Sequence, residues 1–410
     1  MNESTNYDEG KVGNHPLPNV LECEDGTQVR DSASWISKRR PEILDLFSRY
    51  VYGKSPAQQI EIDWEEISVN LNALGGRAKR YEIAIYYGGK TRGVRVDLAL
   101  YIPNSATNPV PLFLGCNFNG NQAVDSDSNI PINTRWMRNT EDGKSVVNNH
   151  ATDYARGFEA TRWPLEQIIE KGFGVATFYY GDIEADHPEG WKTGIRAALS
   201  PDKDLTQFED DDWGAISAWS WGLCRAMDYL VTNSAVDSQK IALIGHSRLG
   251  KAALWAGAQD ERFALVISNN SGAGGISLAR RDFGESIASI NENFPHWFSG
   301  NYKRFNQSPE TLPIDMHEMA ALIAPRPLYI ASAQEDLWAD PKGEFLAGKF
   351  AEPVYSLFGK SGLGVTDWPP VNQPVGENIG YHLRSGKHDV TAYDWQQFLR
   401  FASLHFRIPQ

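Results

Sequence analysis

Ile241-Ala242-Leu243-Ile244, then Gly245-His246-Ser247-Arg248-Leu249-Gly250-Lys251, then Ala252-Ala253-Leu254-Trp255-Ala256-Gly257-Ala258 is the stretch whose reading decides the fold of this chain. Four consecutive apolar residues fit a buried strand, and the alanine-rich run fits a helix. Between them a serine in a sharp turn completes a nucleophile elbow. The turn lifts the serine Oγ clear of the backbone, and the helix aims its free N–H groups and positive dipole end at the same point. An ester carbonyl attacked there would develop its negative charge where donors already point. The stretch departs from G-x-S-x-G, because Leu249 takes the place of the second glycine and Gly250 follows one residue later. A small residue is expected at that place, so by itself the motif is only moderately specific.

Outward from the elbow, strand and helix patterns alternate. Tyr81–Tyr87 and Val94–Ile102, joined through Gly88-Gly89, read as a hairpin. Strands are expected at 111–116, 174–180, 241–244, 264–268, 327–333 and 379–383, and helices at 34–51, 163–171 and 216–232. A last helix is expected from Thr391, where Thr391-x-x-Asp394 resembles a capping box. Such alternation predicts an α/β-hydrolase fold, a three-layer sandwich with a mostly parallel central sheet and an N-terminal antiparallel hairpin. Residues 1–30, rich in Asn, Glu and Pro, read as an irregular arm, and 31–410 as a single catalytic domain with long loop insertions. The longest insertion runs from Asn117 to about Thr161 and is expected to form one wall of the site.

Composition bounds the function. The chain has 410 residues, of which 41% are apolar and 22% charged, enough to bury a large core. A net charge of −13 argues against nucleic acid, whose phosphates need a basic footprint. No apolar run is long enough to span a membrane. Cys23, Cys116 and Cys224 cannot all pair and lack metal-binding spacing, so they are expected to be free and mostly buried. The polar, acidic start has no signal-peptide core, which leaves a cytoplasmic protein or one that has lost its signal peptide.

A serine nucleophile needs a base and an acid that orients it, in the chain order Ser, acid, His. Of nine histidines, His388 is the best candidate base, in the loop between the last strand and the last helix. Its competitor His382 falls inside a strand pattern and reads as a packed residue. Asp336 is the candidate acid, three residues beyond the strand that ends at Ala333, with Glu335 and Asp340 as rivals. Asp340 precedes a proline and equally suits a turn. Arg248 offers its backbone N–H, and a guanidinium, to an oxyanion. Lys251 sits in the first turn of a helix, where a cation is unfavourable for the dipole unless it faces an anionic or hydroxyl-rich ligand. A lysine pointing into water is the alternative.

These residues, together with Asn270-Ser271-Gly272-Ala273-Gly274-Gly275, Glu292-Asn293-Phe294-Pro295-His296-Trp297-Phe298, Ala324-Pro325-Arg326-Pro327-Leu328 and the Asp336-x-Trp338 pair, resemble the glucuronoyl esterases of carbohydrate esterase family 15 over roughly residues 80–400. The resemblance implies a serine esterase that cleaves the bond between 4-O-methyl-glucuronic acid of glucuronoxylan and lignin alcohols. It implies Ser247 as nucleophile, His388 as base and Arg248 as oxyanion donor. Lys251 would bind sugar hydroxyls, Trp338 would line the uronate pocket, and Glu285 and Glu292 would hold the uronate hydroxyls. Many members carry a catalytic glutamate where this chain has Asn270, which cannot supply the charge, so the acid would come from the later loop as in some bacterial members. No cofactor or metal is implied, and a secreted or periplasmic monomer is. Two other readings remain: an acetyl-xylan or other small-ester esterase, and a non-catalytic carbohydrate-binding homologue, the latter motivated by Asn270 and by 13 tryptophans.

Overall fold

The computed structural model describes residues 5–56, 60–90, 93–200 and 208–408. They gather into two compact units, each assembled from separate stretches of chain. The first comprises Met1–Ser55, Phe208–Ser217 and Ile244–Asp389; the second comprises Pro56–Gln207, Ala218–Leu243 and Val390–Gln410.

In chain order the strands are β1 Ile62–Asn72, β2 Ala78–Tyr87, β3 Val94–Pro103, β4 Val110–Asn117, β5 Val146–Val147, β6 His150–Ala151, β7 Gly174–Tyr179, β8 Val236–His246, β9 Leu265–Asn269, β10 Leu328–Ala333 and β11 Ile379–Arg384. The second unit holds the order β1-β2-β3-β7-β4-β8. β2 and β3 form the expected hairpin, with Tyr87 opposite Val94. β3 meets β7 antiparallel, whereas β7, β4 and β8 run parallel. Every residue of β4 and β7 is buried, which is why both read as continuous apolar runs. β1 was not expected. It lies at the sheet edge, and Asp63, Glu65 and Glu66 break its apolar pattern while a register shift at Glu66/Ser68 interrupts its alternation.

Also in the second unit, the 117–161 insertion folds into a short helix Asn121–Val124, the β5–β6 ribbon and a 3₁₀ turn Asp153–Ala155. The last helix, Ala392–Phe406, starts with the predicted box, in which the Asp394 carboxylate accepts from Thr391 N–H at 2.7 Å.

The chain crosses from the second unit to the first within β8. In the first unit the order continues β8-β9-β10-β11, with β9, β10 and β11 parallel. Leu328 pairs with Val266 on one side and Ile379 on the other, so the carboxyl ends of these strands lie at one edge. The elbow helix, Arg248–Gln259, packs on β9, and helix Met316–Ile323 packs on helix Pro341–Leu357. The expected N-terminal helix runs from Ser32 to Tyr52, but widens into π-turns at Trp35–Arg39 and Ser48–Tyr52. Its end carries Tyr52 onto Trp255 of the elbow helix, ring centroids 4.7 Å apart at 18°. All three cysteines are buried, and none of them forms a disulfide. Among the described residues no helix is long and apolar enough to cross a membrane.

Candidate active site

Parallel strands with aligned ends put the residues that follow each strand side by side. Ser247 follows β8, Asn270 follows β9, Asp336 follows β10 and His388 follows β11. All belong to the first unit.

Ser247 has φ 56° and ψ −129°, a conformation that costs a non-glycine residue about 1–3 kcal/mol. Neighbouring backbone holds it there: its N–H donates to the Asn269 carbonyl at 2.9 Å, and its carbonyl accepts from Gly250 and Lys251. The elbow helix begins at Arg248, so the positive end of its dipole lies at the serine. The departure at Leu249 has a steric reason. A Cβ on Gly245 would lie 2.0 Å from the Leu249 carbonyl oxygen, and one on Gly250 would meet Ser271 Cβ at 3.0 Å. The tight approach therefore falls on 245 and 250, while Leu249 points into the core, 1% exposed. The expectation of a small residue at 249 is corrected accordingly.

His388 Nδ1 lies 2.6 Å from Asp336 Oδ2. Asp336 also accepts from Asn270 Nδ2 at 2.7 Å. Burial pushes the Asp336 carboxyl up, but the hydrogen bonds and charge of His388 and the Asn270 amide outweigh it and hold the carboxyl below its usual range. Asn270 sits at φ 46°, a left-handed conformation that asparagine tolerates better than most residues. Its Oδ1 is buried without a hydrogen-bond partner, so the amide is oriented by what its nitrogen gives Asp336. Of the rivals, Glu335 is exposed. Asp340 is buried and faces elsewhere: it caps helix Pro341–Leu357 through Gly343 N–H at 2.9 Å and binds Arg281 Nε at 2.9 Å. His382 is buried in β11, its Nδ1 3.0 Å from the Tyr329 hydroxyl.

Sequence reasoning missed His246. Its ring lies 4.6 Å from that of His388, and its Nδ1 lies 2.6 Å from Asn269 Oδ1. A residue beside the nucleophile was the available signal, but nothing in one dimension said which neighbour its ring would meet. Also missed was Glu344, fully buried, whose carboxylate takes Gly272 N–H at 3.0 Å and the Ser332 hydroxyl at 2.5 Å and fixes the loop after Asn270. Burial pushes its carboxyl up to about 8.

Cations flank the elbow. The Arg248 guanidinium lies over Trp297, 5.0 Å from the ring centroid, and Trp297 stacks on Phe294 at 3.7 Å. Lys251 does not point into water. It is buried, and its ammonium donates to the carbonyls of Ser271 at 2.6 Å and Ala273 at 2.7 Å. Two of three donors are thus used. Glu285 Oε2 stands 3.9 Å from Nζ, too far for a hydrogen bond but close enough to attract. Burial lowers the Lys251 pKa and raises that of Glu285, so both charges are poorly solvated. Glu285 also takes a hydrogen bond from the Trp338 side chain, and its N–H donates to the Trp338 carbonyl at 2.9 Å. Trp338 is 38% exposed. Glu292 is exposed near the end of helix Ile287–Asn293, and no hydrogen bond or ion pair among the described residues joins it to the cluster. No cluster of potential metal ligands occurs among the described residues.

A mostly parallel sheet, a strained serine between strand and helix, and a histidine held by a carboxylate from the adjacent strand's end define an α/β-hydrolase. Comparison with known proteins narrows the class. Residues 201–359 match the family model described as glucuronyl esterase, fungi. A glucuronoyl esterase from Solibacter usitatus is 47% identical with a TM-score of 0.91, over 97% of this chain and 100% of that one. An esterase of family CE15 from a marine bacterial metagenome, described as promiscuous, is 46% identical with the same TM-score, over 98% of this chain and 100% of that one. The 4-O-methyl-glucuronoyl methylesterase of Schizophyllum commune is 30% identical over 84% of this chain and 74% of its own length. The chain belongs to the glucuronoyl esterases of carbohydrate esterase family 15, and it is a carboxylic ester hydrolase.

Proposed function

We propose that the protein hydrolyses esters of glucuronic acid and its 4-O-methyl ether, of the kind that join glucuronoxylan to lignin alcohols, through an acyl-enzyme on Ser247. The observation that carries this reading is the buried Lys251–Glu285 pair beside the exposed Trp338 ring, next to an elbow whose base is already paired with an acid.

The steps follow from the groups present. A uronate ester is uncharged at its carboxyl, so binding rests on its hydroxyls. The remaining Lys251 donor and the Glu285 carboxylate offer complementary partners to a pair of hydroxyls, and the exposed Trp338 ring offers a flat face. His388, its Nδ1 fixed by Asp336, presents Nε2 as the base that takes the Ser247 proton during attack. The ionised Asp336 stabilises the imidazolium that results. Charge developing on the carbonyl oxygen meets the first N–H groups of the elbow helix and the Arg248 guanidinium. Collapse protonates and expels the alcohol, and water activated by His388 then releases the uronic acid. The same cations that favour the oxyanion would attract the product carboxylate, so release is a candidate slow step.

Benzyl glucuronate assayed against an acetylated xylose ester tests the proposal. Preference for the uronate ester is expected; equal or better use of the acetyl ester would replace this reading with the broader carboxylester hydrolase that the description of the marine relative suggests. Ser247→Ala is expected to bring turnover to background while ligand affinity is kept. We further propose a monomer that acts outside the cytoplasm, checked by light scattering and by fractionation of the producing cells.

A further inference from the structure

The segment Asn6–Lys11 of the N-terminal arm is stitched to the two loops that carry Glu285 and Trp338. The Asn6 carbonyl accepts from Gly284 N–H at 2.9 Å, one residue before Glu285, and Asn6 Nδ2 donates to the Asp282 carbonyl at 3.2 Å. The Tyr7 ring meets Phe283 edge-on at 6.2 Å. Glu9 then bridges Arg281, just before one loop, and Lys342, in the first turn of the helix that follows the other. One carboxylate oxygen lies 2.5 Å from Arg281 Nη2 and the other 2.8 Å from Lys342 Nζ. Arg281, 3% exposed, passes the contact on to Asp340, four residues beyond Asp336.

The loops are also pressed on each other. Gly284 has φ +68°, and a Cβ there would come within 2.5 Å of the carbonyl oxygens of both Leu337 and Trp338. The segment 282–285 is therefore a layer between the arm on one side and Leu337–Trp338 on the other. The segment 282–285 has no regular structure to set its height, whereas Leu337–Ala339 forms a single 3₁₀ turn. The arm supplies backbone, ring and ionic contacts instead.

We propose that Asn6–Glu9 is a positioning strap for sugar recognition: through Gly284 and Arg281 it fixes the distance of Glu285 and Trp338 from Lys251, and so sets specificity without touching the reacting atoms. The Ser247–His388–Asp336 set follows β8, β11 and β10 and is tied together through Asn270, and no hydrogen bond or ion pair of Asn6 or Glu9 reaches it among the described residues. The proposal rests on Glu285 and Trp338 meeting the sugar. Loss of the strap therefore weakens binding of a sugar ester and spares a small ester that lacks hydroxyls.

The test compares the full chain, Glu9→Gln and a variant that starts at Gly13, on benzyl glucuronate and p-nitrophenyl acetate, with Tm recorded for each. KM for benzyl glucuronate is expected to rise about 3-fold in Glu9→Gln and about 10- to 100-fold in the shortened chain, which is about 0.7 and about 1.4–2.8 kcal/mol. Acetate turnover is expected to stay within about 2-fold. An unchanged ratio of the two activities would overturn the strap, and so would an equal loss of both together with Tm, which is what a purely structural arm gives. If the shortened chain does not fold, Glu9→Gln decides by the same ratio. Failure of the unaltered protein on benzyl glucuronate would instead strike the proposed substrate.

Discussion

Asp336 and Asp340 lie four residues apart in one loop, both buried, and the fold uses them in opposite ways. Asp336 shares its carboxylate between His388 and Asn270, and these partners hold its pKa down. Asp340 gives its carboxylate to Arg281 and to the first turn of a helix, yet burial still raises its pKa. The first therefore faces a histidine that would gain charge in the proposed reaction, and the second an arginine whose charge is fixed. What separates an acid that serves chemistry from one that serves the fold is whether its partner can change protonation.

The largest expected effect breaks the first half of this comparison. Asp336→Asn removes the charge that stabilises the imidazolium and is expected to lower kcat by about 10³- to 10⁴-fold with little change in Tm. A loss below about tenfold would mean that another group supplies the acid. Asp340→Ala attacks the other half. It strands Arg281 and uncaps a helix, and is expected to cost about 3–5 kcal/mol of stability, read by urea unfolding, while kcat at low temperature stays within a few-fold. If kcat falls as far as in Asp336→Asn, the division between the two is wrong.

Asn270→Ala sharpens the comparison by removing one of Asp336's two side-chain partners. A hydrogen bond to a charged group is worth about 1.5–3 kcal/mol, of which part is felt in the transition state, so kcat/KM is expected to drop about tenfold. An unchanged kcat/KM would leave Asn270 a backbone residue only.

The smallest effect concerns Glu344 beneath the same loop. Its carboxyl titrates near 8 in the folded protein, against about 4.3 in an unfolded chain. The folded state thus binds the extra proton between those values, and this group's contribution to stability falls as pH rises from about 4.3 to about 8. Glu344→Gln keeps the neutral shape and removes the titration. Its Tm relative to the parent is expected to climb between about pH 5 and 8 and then level off, and a flat difference would mean that Glu344 is ionised in the fold.

The parallel strands were legible because burial on both faces makes β4, β7, β9 and β10 largely apolar runs. The solvent-facing edge strand β1, which carries three carboxylates, left no such trace. Ser247, Asp336 and His388, the proposed catalytic set, were legible because each follows a strand end, and strand ends could be counted. The contact of His246 with His388, the reason for Leu249 and the stitched arm were not, since each depends on which surfaces meet across long separations.

By itself, the sequence determined the alternation of the buried strands with helices, the turn at Ser247, and a short list of acids for His388. Those are consequences of local periodicity and of steric rules that act over a few residues. Only the tertiary structure showed that Asp336 rather than Asp340 lies against His388, that Lys251 turns inward, and that Glu9 reaches Arg281 across 272 positions. Burial and pairing are properties of a packed interior, and identical carboxylates diverge there because the dielectric and the partner, not the residue type, set their chemistry.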